Sequence, residues 1–367
     1  MHSSLLLVIV VVAALAFDFT NGFHDTANVV ASTISTRALS PRTAIALASL
    51  LNFAGAFISL KVAATIATGI IDAQQVTETI AFAGLVGAIA WNLITWAYAL
   101  PSSSSHALIG GVIGAMLAAV GGSGVNGNGV LTKVVLPALV APVVAFLAAG
   151  LLIVVLYWVF GRRRPGAVSR GFRIGQVFSS SLLALSHGTN DAQKTMGVIT
   201  LALVAHGSLS AQNTTVPAWV VICSATAISL GTYAGGWRII RTVGSRIIRM
   251  DAAQGFAAQS AGAAVILVSS HLGYPLSSTH VISGGVMGAG AAKKLSAVRW
   301  GVAGSIAVAW VVTLPAAGLF GAAAYELATL FGDGVLGPLL ITVVAAGWLA
   351  TVLASRRRRL ETAAAGP

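Results

Sequence analysis

Long apolar runs alternate along this chain with short basic loops, and a few runs carry hydroxyls, amides or carboxylates in their middle. About 20 apolar residues suffice to cross a bilayer. Segments of that kind lie near residues 4–36, 43–66, 78–100, 102–121 and 132–160. A second set follows near 173–205, 216–236, 254–271, 274–292 and 300–325, and a last one at 334–354. The pattern predicts an all-α polytopic membrane protein with five, five and one crossings. The first segment of each set is too long for one straight crossing. Polar clusters interrupt both, Asp18 to Asn28 in one and Ser186 to Lys194 in the other. A broken helix with unwound backbone is expected there, because exposed backbone is tolerated in a membrane only where it lines a cavity.

The two sets repeat one plan. Pro101-Ser102-Ser103-Ser104-Ser105-His106 returns as Pro275-Leu276-Ser277-Ser278-Thr279-His280, each followed by an apolar run with a Gly-Gly pair. Gly22-Phe23-His24-Asp25 returns as Gly188-Thr189-Asn190-Asp191. The unit boundaries follow: a first unit at 1–161, a linker at 162–173, a second unit at 174–326, a final helix at 334–354 and a tail at 355–367.

Composition and charge give the units a direction. Of 367 residues 57% are hydrophobic and 8% are charged, against about 25% charged in a soluble domain. The formal net charge of +12 could suggest nucleic acid, but the basic residues lie in short clusters between apolar runs. With the N-terminus outside, every second loop is cytoplasmic, and those loops hold 18 of the 21 Lys and Arg. The exceptions are Lys61, Lys133 and Lys194. The linker at 162–173 and the tail with Arg356 to Arg359 are then cytoplasmic, as the positive-inside rule requires. Five crossings per unit make the second unit start inside, so the repeat is inverted. The segments 102–121 and 274–292 cross fully or turn back as re-entrant hairpins at Gly110-Gly111 and Gly284-Gly285. A cleaved signal peptide is disfavoured, because no Lys or Arg precedes the apolar run at 5–16. The one cysteine, Cys223, excludes an intramolecular disulfide and a Cys-based metal site.

The polar residues suggest ion chemistry. A proline followed by hydroxyls is a helix start, yet four and three hydroxyls exceed what a cap uses. Free N–H groups and hydroxyls at two facing helix starts make an anion site, suited to phosphate or sulfate. Three of the nine carboxylates, Asp18, Asp25 and Asp191, fall in the interrupted segments, where an ionised group is functional by default. With Asn21, Asn28 and Asn190 they suit Na⁺, or a carboxylate that takes up H⁺. Lys194 is three residues from Asp191 and serves either as its ion-pair partner or as a counter-ion for the anion. His24 and His187 each trade places with an asparagine of the other unit, which opens a proton-handling role. His106 and His280 are expected to be hydrogen-bonded structural histidines, and no structural metal site is expected.

These residues carry a family resemblance. Asp18 to Asn28, His187 to Thr195 and the paired P-x-S-S-[ST]-H segments resemble the signature segments of the PiT-type inorganic phosphate transporters. The resemblance covers nearly the whole chain. It implies cation-coupled phosphate uptake by alternating access, often as a homodimer, in the plasma (inner) membrane of a prokaryote. Carried over, Ser103, Ser104, Ser105, Ser277, Ser278 and Thr279, with Asn28, Lys194 and Thr195, would bind phosphate. Asp25, Asp191, Asn21, Asn190 and Asp18 would serve the coupling cation. His24 looks like the bacterial branch, some members of which are proton-coupled and carry phosphate as a complex with Mg²⁺ or another divalent metal. H⁺ or Na⁺ thus remains open as the coupling ion. No cofactor and no nucleic acid is expected, and the bilayer and inorganic phosphate are the partners. The rivals are a transporter or channel for sulfate or arsenate, and an intramembrane Ser/His enzyme.

Overall fold

The computed structural model describes residues 4–210, 215–332 and 334–364 and is helical nearly throughout. Among the described residues no strand occurs, and the one extended pairing is a bridge between Ile71 and Val125. The first set of helices comprises α1 (Ser4–Ser35), α2 (Pro41–Gly55), α3 (Lys61–Thr68), α4 (Glu78–Ala97) and α5 (Ser104–Val120). It continues with α6 (Gly127–Val130), which runs through a π turn into α7 (Leu136–Phe160). The second set comprises α8 (Pro165–Ala205), α9 (Ala218–Ala234), α10 (Trp237–Arg241), α11 (Ala252–His271), α12 (Ser278–Lys293) and α13 (Trp300–Thr329). The last helix is α14 (Leu336–Ala364). The side chains of Arg356 to Arg359 and the final residues 365–367 lie outside the described residues.

Among the described residues six stretches are long and apolar enough to cross a membrane: α1, α4, Ser104–Gly124, Gly127–Phe160, α11 and α13. A seventh arises if α9 and Trp237–Arg246, bent by 59°, count as one span. The chain is therefore a multi-pass membrane protein, with fewer qualifying spans than the eleven expected. The difference has local causes. The expected span 43–66 is split at 56–60 into α2 and α3. α12 has only 16 residues, and α8 carries Arg170, Arg173, Asp191 and Lys194 within one helix. The basic linker expected at 162–173 is largely the first turns of α8, because Pro165 suits a first helical turn.

Two further expectations are corrected. The polar clusters at 18–28 and 186–194 do not unwind. α1 and α8 are continuous helices of 32 and 41 residues, about 48 and 62 Å long. Several of their polar side chains, among them Asn28, Asp25, Asn190 and Lys194, bond to neighbouring helices and turns, and the backbone stays helical. Nor do Gly110-Gly111 and Gly284-Gly285 turn the chain, since both pairs lie inside straight helices. The turns fall earlier, at 98–103 and 272–277, which makes α4–α5 and α11–α12 the two antiparallel hairpins.

The glycines serve close approach. A Cβ on Gly110 or Gly114 would strike the carbonyl oxygens of Leu314 or Gly318 on α13. A Cβ on Gly284 or Gly288 would likewise strike Pro142 or Phe146 on α7. The helix of one half thus packs on the other half's last helix, α5 on α13 and α12 on α7, as small-xxx-small spacing allows. The same exchange holds for α1 on α9 and α8 on α2. Gly22 abuts Ile228 and Gly188 abuts Asn52. Gly114→Ala is expected to lower the thermal unfolding midpoint of the purified protein, at a cost of about 1–3 kcal/mol for overpacking. Gly304→Ala, inside α13 with nothing within 4 Å of its Cβ, should not lower it and is expected to raise it slightly.

Candidate functional site

The sequence makes four elements converge. α1 and α8 cross the molecule side by side, and the two hairpin turns deliver the N-termini of α5 and α12 against them. Ser103 caps α5 by accepting from the His106 N–H (3.1 Å), and Ser277 caps α12 by accepting from the His280 N–H (3.3 Å). One hydroxyl per copy is therefore spent on the helix start. The others turn inward, and no site residue predicted from the sequence is more than 3% exposed.

The inward hydroxyls face two carboxylates. Ser278 Oγ lies within donating distance of both Asp25 Oδ2 (3.3 Å) and Asp191 Oδ2 (3.0 Å). Ser104 Oγ donates to Asp25 Oδ1 at 3.3 Å, and Thr279 Oγ1 lies 3.5 Å from the same oxygen. Asn28 Nδ2 donates to Thr279 Oγ1 at 2.9 Å. Lys194 is ion-paired with Asp191 and also donates to Ser105 Oγ (2.5 Å) and the Leu276 carbonyl (2.8 Å). All three ammonium protons have partners in this structure, with Asp191 as the ion-pair partner.

The histidines sort into two groups. His24 Nδ1 lies 2.8 Å from Asp25, and His187 Nε2 lies 2.7 Å from Asp191. Asp25, His187 and Asp191 offer ligand atoms all within 4.8 Å of one another. A group with the spacing to hold a cation thus arises from residues on two helices, which spacing along one helix does not reveal. His106 and His280 instead meet each other edge-to-face, with centroids 4.8 Å apart. His280 stacks on Trp310 at 4.1 Å and holds only a 3.4 Å contact to the Ala138 carbonyl. Ring packing, more than hydrogen bonding, fixes this pair.

A second oxygen cluster sits beside the first. Both carboxylate oxygens of Asp18, the amide oxygens of Asn21 and Asn190, and the hydroxyl of Thr195 are buried without a hydrogen-bond partner among the described residues. Asp18 neighbours Asn21, Thr195 and the Asp191–Lys194 pair. Buried oxygens left unpaired cost free energy; beside Asp18 the Thr195 hydroxyl and the Asn21 amide can donate, and a proton or a hard cation can satisfy what remains. Thr195, expected among the phosphate ligands, lies beside Asp18.

The model of the phosphate transporter family matches residues 21–321. The chain belongs to that family. A Mycobacterium tuberculosis (strain H37Rv) protein named as a probable low-affinity inorganic phosphate transporter is 54% identical over 352 residues, covering 94% of this chain and 84% of that relative. A Bacillus subtilis (strain 168) protein of the same name is 42% identical over 323 residues, 88% of this chain and 96% of the relative. A solved structure titled the sodium-dependent phosphate transporter has a TM-score of 0.82 at 25% identity, covering 89% of this chain and 99% of that one.

Within this phosphate transporter fold, sequence reasoning missed the outer supports of the site. Thr95 and Ser102 hold His24 Nε2 at 3.2 and 3.4 Å. Asn52 faces His187 Nδ1 at 3.2 Å, and Ser270 accepts from Asn190 at 2.9 Å. The signal was faint: Asn52 is a lone amide in an apolar run, and Thr95 and Ser270 resemble ordinary helix residues.

The Asp191–Lys194 pair makes a direct prediction. Asp191→Ala strands a buried ammonium and is expected to destabilise the protein by about 3–5 kcal/mol. Asp191→Ala combined with Lys194→Met removes both charges and should recover most of that loss. Reversible unfolding in mixed micelles measures both.

Proposed function

We propose that the chain is a secondary active symporter that carries inorganic phosphate across a prokaryotic plasma membrane, coupled to H⁺ or Na⁺. The observation that carries the reading is the meeting of two hydroxyl-bearing helix N-termini with Asp25 and Asp191 in a fully buried centre. Helix starts and hydroxyls favour an anion, while the carboxylates repel one unless a cation or proton accompanies it. Phosphate binding therefore depends on a bound cation or proton. Family membership and the names of the relatives support phosphate over sulfate, and support transport over Ser/His catalysis.

In this reading Ser104, Ser105, Ser278, Thr279 and Asn28 bind phosphate, with Ser103 and Ser277 setting the helix starts. The oxygen cluster of Asp18, Asn21, Asn190 and Thr195 suits Na⁺. The Asp25–His187–Asp191 group suits a proton, or Mg²⁺ or another divalent metal carried with phosphate as cargo. The halves 1–161 and 174–326 are read as an inverted repeat with the N-terminus outside. Supporting this, Asp25 meets Asp191, His106 meets His280, and helix partners exchange between halves. Buried from both sides, the site would open by alternating access, the halves rocking about it in each protomer of a homodimer.

Labelled phosphate uptake into proteoliposomes, with Na⁺ and H⁺ gradients imposed separately, tests the reading. Accumulation above equilibrium under at least one gradient is expected. Ser278→Ala should raise KM roughly tenfold, the worth of about 1.4 kcal/mol from a lost charge-assisted hydrogen bond. Uptake that never exceeds equilibrium contradicts symport, and uptake blocked by sulfate but not by arsenate contradicts phosphate as the substrate.

A further inference from the structure

The two halves of the site differ in one charge. The 166-residue offset that pairs Asp25 with Asp191 also pairs Asn28 with Lys194. The 174-residue offset between the serine turns pairs Ser105 with Thr279. The contacts obey both offsets at once: Asn28 donates to Thr279, and Lys194 donates to Ser105. The same slot, reaching from one half's long helix to the other half's serine turn, holds a neutral amide on one side and an ammonium on the other.

The partners of that ammonium are informative. Lys194 Nζ is held by a carboxylate oxygen of Asp191, the hydroxyl of Ser105 and the carbonyl of Leu276. A carboxylate, a hydroxyl and a carbonyl are the ligands a small monovalent cation takes. Asp25 has no such partner. Its neighbours are the hydroxyls of Ser104, Ser278 and Thr279 and the ring of His24. Asp191 thus carries a lysine counter-charge, whereas Asp25 has only imidazoles near it, His24 at 2.8 Å and His187, and Asp18 faces Asn21 and Thr195.

We propose that Lys194 is a tethered cation occupying the place of one exchangeable coupling cation in the second half of the site. The ion that comes and goes with each cycle then serves the first half, at Asp25 and Asp18. The transporter moves one fewer cation per substrate than a protein with an amide in both slots. For its consequence in transport the inference rests on the symport reading; the cation site itself does not.

The decisive variant is Lys194→Asn, which copies the first half's residue into the second. It removes the ammonium, leaves Asp191 in place and supplies an amide oxygen. Thermal unfolding of purified full-length protein, without phosphate, is compared in NaCl and in choline chloride at matched ionic strength. Lys194→Asn should be destabilised in choline and regain several degrees in NaCl, saturably, by mass action. The wild type should show a smaller Na⁺ shift, and Asp191→Asn/Lys194→Asn should lose the extra shift. In vesicles the Lys194→Asn variant should need one more Na⁺ per phosphate.

Three results overturn the inference: equal Na⁺ shifts in wild type and Lys194→Asn, an extra shift that survives in the double variant, or a Lys194→Asn protein that folds in neither salt while the double variant folds. The last would make Lys194 a structural ion-pair partner only. Failure of the symport reading shows separately, as wild-type vesicles that never concentrate phosphate.

Discussion

Three carboxylates and one ammonium lie buried in the centre of this protein, and the structure is organised around holding them there. Each ionised group in a bilayer interior costs at least about 2.5–3.5 kcal/mol on insertion scales. Lys194 cancels one carboxylate. Helix N-termini, hydroxyls and histidines surround Asp25, and Asp18 remains with unpaired oxygens. One lysine stands against three carboxylates, with His24 and His187 beside Asp25 and Asp191. That excess of carboxylates is what the proposed coupling of anion to cation rests on.

Close helix packing lets the site exist. The hairpin turns reach α1 and α8 because glycines let α5 and α12 seat against the backbones of α13 and α7. The same contact fixes the direction of both helix N-termini, so packing and electrostatics are set by the same residues. A bulkier side chain at Gly114 or Gly288 would move the serines as well as loosen the pair.

Much of this was legible in the sequence, and the reason is duplication. Paired serine turns and paired aspartates stood out because polar groups are rare in apolar segments. Their convergence followed from helix-start chemistry and basic-loop placement. Continuity of α1 and α8 was not legible, since a polar cluster in an apolar run looks the same whether the backbone unwinds or its side chains are satisfied across an interface. Asn52 and Thr95 stayed hidden because single polar residues in a helix are common. The union of Asp25, His187 and Asp191 depends on two helices crossing at one height, which no local spacing encodes.

In the proposed reading the buried carboxylates bar phosphate unless a cation or proton is bound with it. Calorimetric titration of the purified protein with phosphate, repeated across Na⁺ concentration and across pH, measures that linkage without any membrane gradient. The account predicts that phosphate affinity rises with Na⁺ or with H⁺ activity, and by reciprocity that phosphate raises affinity for the same cation. A phosphate affinity that stays constant across both titrations would contradict it.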